Sequence, residues 1–435
     1  MTLKILHSFI LFSFFYFGPL LAKSHWVEGE VLVKANKVEN FEELLSSLVQ
    51  SDLDLKIKSK INSDWYVLSY KDASKNPENY INSLKRELPQ GLVSNLYFQP
   101  NYLLSLALEE KNYVMKDPKV EEKAKGIPGK MDPRAKELWG MKAIEADTQW
   151  LKYPGSYNVI VANTDTGIDY NHEDLRHNLW ENTDSETDEL HVGYDFVDND
   201  VYPFDRHGHG THTAGTIGAQ GFNGLGIIGV NSKVTIMTLK FIDTSVGTTV
   251  NAIRSLDYAV KNGARVINAS WGAEAKSEDE LENKALKEAV SSLSDKNVLL
   301  VIAAGNSGLN IDERVVYPAG FSDDHILSVA SINQRNKRSF YSNYGYENVD
   351  VAAPGSNILS TMPGSQYEIN SGTSMAAPHV SGLAALLLSI DPTLSALELK
   401  DIILSTAVKN DSLKGRVKTE GVINVRLAIE SLLAR

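Results

Sequence analysis

Five apolar segments constrain the fold most: "NVIVANTD", "KVTIMTLKFI", "ARVINASWG", "NVLLVIAAGN" and "HILSVASIN", spaced along residues 158–333. They lack the strict alternation of a strand with one wet face, so each predicts a strand buried on both faces. Helical stripes lie between them. Ile253, Leu256 and Val260 mark one, and Leu281, Ala285, Ala289 and Leu293 mark another. Apolar strands alternating with helices predict an α/β domain, a mainly parallel sheet with helices on both faces. Ligands of such sheets bind at the carboxyl ends of strands. Asp165, Ser270 and Asn306 fall at those ends.

The chain of 435 residues has room for a smaller domain as well. Residues 26–108 read as strand "GEVLVK", helix "NFEELLSSLVQ", paired strands "DLKIKSKI" and "DWYVLSY", helix "NPENYINSLKREL" and closing strand "GLVSNLYF". Phe41, Leu44, Leu45 and Leu48 share one face of the first helix. The order β-α-β-β-α-β predicts a small α+β ferredoxin-like domain. Residues 109–131 are charged and carry Pro118, Gly126, Pro128 and Gly129, which predicts an exposed linker. At the N-terminus, Lys4 precedes an apolar run from Ile5 to Phe17, then Gly18, Pro19 and Ala22. That pattern predicts a secretory signal, because the run is short for a bilayer span. The organisation predicted is a signal peptide over 1–22, a small domain over 23–108, a linker over 109–131 and the large domain over 132–435. The net charge of -12 argues against nucleic acid or an anionic membrane as the main partner. The absence of cysteine excludes disulfides, thiolate metal sites and a cysteine nucleophile.

Three stretches carry chemistry. In "VIVANTDTGID" an apolar run ends in Asp165-Thr166-Gly167, which reads as a turn cap or as half of an aspartic protease site. "DRHGHGTHTAGTIGA" holds His207, His209 and His212, a possible metal cluster that lacks the helical i,i+4 histidine pair of zinc proteases. "NSGTSMAAPHVSGLAALLLSI" puts Ser374 at the start of a helical run, behind Gly372. There it is an N-cap, or a nucleophile beside N–H groups that can hold an oxyanion. Together they supply Asp, His and Ser in that chain order, one known solution for a catalytic triad.

At these residues the segment 132–435 resembles the subtilisin family of serine proteases. "DTGID", "GHGTHTAG", "VINASWG", "AAGN", "FYSNYG", "VDVAAPGSNILST" and "NSGTSMAAPHVSG" carry the likeness, in the family's order. Residues 26–108 resemble the family's inhibitor-type propeptide, with "QPNY" near its end. The resemblance implies Ser374 as nucleophile, His209 as general base and acid, and Asp165 as the holder of the imidazole. It implies that the Asn306 side chain and the Ser374 N–H bind the oxyanion. Ser270, Trp271 and Gly272, with Ala304 and Gly305, would bind extended substrate, although Trp271 is bulkier than the aliphatic residue expected there. His207 and His212 would be structural. Calcium (Ca2+) is implied at Asp174, Asn223 and the carbonyls of Gly221, Leu225 and Ile227, with Asp132 as a further ligand. Asp195, Asp198 and Asp200 resemble a second calcium loop. The whole implies a monomeric, secreted serine endopeptidase acting on proteins or peptides, extracellular or periplasmic. It would be made as a zymogen that its own propeptide blocks until a cut between Ser105 and Asp132. The rivals are an inactive binding protein on the same scaffold, metal-dependent hydrolysis at the histidines, and an aspartic protease. The last needs a homodimer, because the chain has one Asp-Thr-Gly.

Overall fold

The strand Gly155–Asp165 is the spine of the large domain, and its last residue is Asp165. The structure, a computed structural model, describes residues 25–35, 41, 55–72, 76–88, 90–106, 128–182, 191–275 and 283–435. Among these, a nine-stranded sheet runs from one edge to the other as Val408–Lys409, Gly421–Val422, Val351–Pro354, Ile326–Ile332, Leu299–Ala303, Val266–Ala269, Gly155–Asp165, Lys233–Lys240 and Gly193–Asp195. Neighbours are parallel, except for the antiparallel pair at the first edge. The apolar runs explain this: every residue of Leu299–Ala303 and of Ile326–Ile332 is buried. Helices Thr249–Lys261 and Lys284–Asp295 turn Ile253, Leu256, Ala285, Ala289 and Leu293 into the core. The α/β expectation is met.

Helix Thr373–Ile390 is apolar nearly all round and packs across the central strands. A helix without a polar face belongs in a core, and this one carries Ser374 in its first turn.

In the small domain the strands lie in the order Leu96–Leu106, Trp26–Ala35, Trp65–Tyr70, Leu55–Lys60, all antiparallel. Helix Pro77–Glu87 begins where the Asn76 side chain accepts from the Glu78 N–H, and it buries Tyr80, Ile81 and Leu84. Those residues join Val31, Val33, Leu68 and Phe98 in a separate core. The predicted strand "GLVSNLYF" divides instead: Gln90–Val93 is a short helix, and the strand begins at Leu96. Too few residues separate the two for sequence periodicity to distinguish them. The expected signal peptide, the expected first helix beyond Phe41, the expected linker over 109–127 and Leu281 lie outside the described residues.

Strand Leu96–Leu106 continues into the large domain. Leu103, Leu104 and Ser105 pair with Thr248, Gly247 and Val246 on one side. Ser105 and Leu106 pair with Gly272 and Trp271 on the other. The Leu106 N–H also donates to the Ser245 carbonyl at 3.1 Å. Polar contacts flank this join: Lys34 pairs with Glu288 at 2.8 Å, and the Gln99 amide accepts from the Ala285 N–H at 3.0 Å.

Candidate active site

Asp165 ends its strand, and the helix His209–Gly218 opens with His209. The two meet: His209 Nδ1 lies 2.6 Å from Asp165 Oδ1, with both side chains fully buried. Asp165 Oδ1 also accepts from the Thr166 N–H at 2.7 Å, and its Oδ2 is 3.4 Å from Thr213 Oγ1. The close approach needs a glycine. A Cβ on Gly210 would lie 2.2 Å from the Gly167 carbonyl oxygen and 3.1 Å from Asp165 Cβ.

The histidine helix has no side-chain cap at its own N-cap, Gly208. Asp205 supplies one from three residues upstream. Its buried carboxylate accepts from the His207 and Gly208 N–H groups at 2.9 and 2.7 Å and from the Thr211 N–H at 2.8 Å. It also accepts from the hydroxyls of Thr211 and Thr166 at 2.7 and 2.9 Å. An anion at a helix start is favoured by the dipole there. Asp205 thus ties the strand extension after Asp165 to the turn that carries His209. Sequence reading missed it, though an Asp a few residues before a helix is a visible signal.

Ser374 follows Gly372 and Thr373 at the other helix start. Its Oγ donates to the Ser270 carbonyl at 3.0 Å, and His209 Nε2 has no hydrogen-bond partner. Pro378, inside this helix, has no N–H to give to the carbonyl four residues back, which is that of Ser374. Ser270 Oγ donates to that carbonyl instead, at 2.9 Å. Ser270 thus holds Ser374 twice, once by its hydroxyl and once by its carbonyl. It sits where the predicted strand "ARVINASWG" splits, between Val266–Ala269 in the large sheet and Trp271–Glu274 in the sheet shared with the small domain.

Asn306 lies just past Leu299–Ala303, and its Oδ1 accepts from the Thr373 N–H and hydroxyl at 2.8 and 2.9 Å. That assigns the acceptor end of the amide. Gly305 donates its N–H to Thr373 Oγ1 at 3.0 Å, and the Ala304 carbonyl accepts from Asn343. Asp165, His209, Ser374 and Asn306 therefore gather at strand ends and helix starts on one edge of the sheet. Trp271 turns inward: its Nε1 donates to Thr164 Oγ1 at 2.9 Å, and its ring meets Phe241 edge-on at 5.0 Å. Its backbone, with that of Gly272, is the part that pairs with another strand.

Beneath the site lies a polar network that the sequence did not disclose. Asn268 Nδ2 donates to Asn163 Oδ1 and to Ser270 Oγ, both at 3.0 Å. Asn163 Nδ2 donates to the Gly210 carbonyl at 3.0 Å. His212 donates from Nε2 to the Ile358 carbonyl at 3.0 Å, and its burial drives its pKa down to about 3. His207, His209 and His212 therefore do not converge. The rings of His207 and His209 are 6.3 Å apart, and His212 turns to another strand.

Asp174 and Asp132, expected around calcium, both face the loop that carries Asn223. Asp174 Oδ1 accepts from Asn223 Nδ2 at 2.9 Å, and its Oδ2 accepts from the Ile227 N–H and the Tyr367 hydroxyl at 2.8 and 2.9 Å. Asp132 accepts from the N–H groups of Phe222, Asn223 and Gly224. One difference from expectation is that Asn223 turns its nitrogen, not its oxygen, toward Asp174. Burial raises the Asp174 carboxyl to about 6, and the like charge of Asp132 adds to the rise. Two buried carboxylates packed against the loop bearing Gly221, Leu225 and Ile227 suit a hard cation in donor chemistry. In the second acidic loop Asp195 pairs with buried Lys240 at 2.7 Å, Asp198 lies 3.4 Å from Arg206, and Asp200 accepts from the Tyr202 N–H. The three carboxylates thus turn to separate partners within the protein.

Residues 156–422 match the subtilase family. Subtilisin-like protease 2 of Plasmodium falciparum is 37% identical over 302 residues, covering 68% of this chain but 22% of that protein. The chain thus spans about a fifth of that relative's length. Subtilisin DY of Bacillus licheniformis is 37% identical over 296 residues, 67% of this chain and 98% of its own length. Thermitase of Thermoactinomyces vulgaris is 37% identical over 293 residues, 67% of this chain and 95% of its own. A solved lanthipeptide protease superposes with a TM-score of 0.60 at 26% identity, covering 71% of this chain and 100% of that one. Family match, sequence identity and fold agree: the chain belongs to the subtilases.

Proposed function

We propose that this protein is a secreted serine endopeptidase made as a zymogen. The observation that carries the reading is the 2.6 Å contact between Asp165 and His209, with Ser374 at a helix start beside the same strand ends. In the reaction Ser374 Oγ leaves the Ser270 carbonyl, gives its proton to His209 Nε2 and attacks the peptide carbonyl. The Ser374 N–H and the Asn306 amide stabilise the oxyanion. His209 then protonates the leaving amine, and water enters by the same route to release the acyl group. Asp165 keeps Nδ1 as the protonated nitrogen and stabilises the imidazolium.

The small domain acts as inhibitor and folding aid. The double pairing of Leu103–Leu106 with Val246–Thr248 and Trp271–Gly272 supports this, because a peptide adding itself to open strand edges is a known mode of recognition. Substrate takes the same place after a cut between Ser105 and Asp132. The N-terminal apolar run directs export. Calcium, when bound, is held by Asp132, Asp174 and Asn223 with loop carbonyls, and its contribution is to stability.

Ser374→Ala tests the reading. The variant is expected to stay uncut and to hydrolyse no peptide, whereas the parent chain processes itself. Persistent hydrolysis by the variant would refute it.

A further inference from the structure

We infer that Asn343 is the positioning residue for the oxyanion donor Asn306. The inference rests on the protease reading above and names a residue for which that reading has no use. Residues 304–309 leave the sheet without regular secondary structure, and Gly305 sits at φ +102°. Such a segment does not hold a side chain in place by itself.

Asn343, buried in "FYSNYG", braces this segment on both sides of Asn306. Its Nδ2 donates to the Ala304 carbonyl at 2.9 Å, and its N–H donates to the Gly305 carbonyl at 2.9 Å. Its Oδ1 accepts from the Ser307 and Leu309 N–H groups at 3.1 and 2.9 Å. Two bonds fall before Asn306 and two after it. Thr373 fixes the amide of Asn306, and Asn343 fixes the backbone from which that amide extends.

The fit is tight. A Cβ on Gly305 would lie 2.4 Å from Asn343 Nδ2, so the glycine also makes room for the brace. The chemistry needs an amide, because one end donates to a carbonyl while the other accepts two N–H groups. An aspartate keeps the acceptor but puts oxygen against the Ala304 carbonyl. Alanine removes both ends.

A double-mutant cycle on the purified enzyme tests this. kcat and KM are measured for the parent, Asn306→Ala, Asn343→Ala and the double variant, with concentrations set by titration with an irreversible serine reagent. Asn306→Ala is expected to lower kcat about 10²–10³-fold, a magnitude taken over from a subtilisin. Asn343→Ala is expected to lower kcat about tenfold to a hundredfold, with KM within about twofold, as misplacement of a catalytic group would. In the Asn306→Ala background the same change is expected to have almost no further effect, since groups that act as one unit are not additive. Asn343→Asp, of the same shape, is run alongside and is expected to show the same non-additivity, should Asn343→Ala not fold. Equal losses in both backgrounds, or an unchanged kcat in a folded Asn343 variant, would overturn the inference. An unchanged kcat for Asn306→Ala alone would instead remove the oxyanion reading, and the inference with it.

Discussion

Ser270 serves two masters at atomic scale, accepting from the Ser374 hydroxyl and donating to the Ser374 carbonyl. The second bond exists because Pro378 removes the helical donor. Ser270→Ala therefore leaves a buried carbonyl unpaired. The expected loss is about 1–3 kcal/mol, read as a lower urea midpoint at unchanged slope. Asp165→Asn is a different kind of lesion. It keeps the shape but no longer dictates which imidazole nitrogen carries the proton, and kcat is expected to fall about 10⁴-fold, as in a serine protease of another fold. Active-site titration beside circular dichroism separates that loss from unfolding. Asp205 shows in the sequence as an Asp just before a helix, but its link to Thr166, 39 residues upstream, does not; four of its five donors are local and that one is tertiary.

At the level of elements, the central strands were legible because long apolar runs have few other uses. "NVLLVIAAGN" and "HILSVASIN" became Leu299–Ala303 and Ile326–Ile332. The motif residues were legible for another reason: they sit at strand ends and helix starts, which sequence marks with Gly, Asp and Ser. Less legible was everything set by neighbours. "ARVINASWG" read as one strand because nothing local shows that Ser270 turns the chain from one sheet to another. Lys240 lies in a strand read as apolar and Asp195 in a loop read as acidic, and nothing local shows that they pair in the interior. The amides of Asn163 and Asn268, in two of the apolar strands, face each other at Cα-paired positions, a contact that no local pattern announces. The join between the helix His209–Gly218 and the strand Gly155–Asp165 leaves no room for a methyl group at Gly210. Gly210→Ala is expected to push the helix away and abolish peptide hydrolysis, while Gly415→Ala, with open space around it but a strained φ of +65°, is expected to cost some stability and leave hydrolysis intact.

For the molecule as a whole, buried imidazoles set an acid limit. Burial holds His212 down to about 3 and His379 to about 4, against an ordinary value of 6.5. Both are neutral in the folded protein. As pH falls below 6.5 the unfolded chain binds protons that the folded one cannot, so stability declines until the folded values are passed. The melting temperature of the Ser374→Ala protein, which cannot digest itself, is expected to drop steadily between about pH 6.5 and 4. His212→Asn, keeping a donor for the Ile358 carbonyl, is expected to flatten part of that slope. The proposed calcium site gives a second test of stability. Added Ca²⁺ is expected to raise the melting temperature and a chelator to reverse it, with Asp174→Asn insensitive to both.

The strand Leu96–Leu106 belongs to two sheets at once, and this bears on timing. Cutting the chain beyond Leu106 breaks none of the ladder bonds that Leu103–Leu106 makes on its two flanks. The severed piece keeps its grip, so scission and release are separate events. Activity should then appear after a lag whose length is the residence time of the fragment, not the speed of the cut. On the zymogen reading proposed above, the clock that starts activity is a dissociation rate.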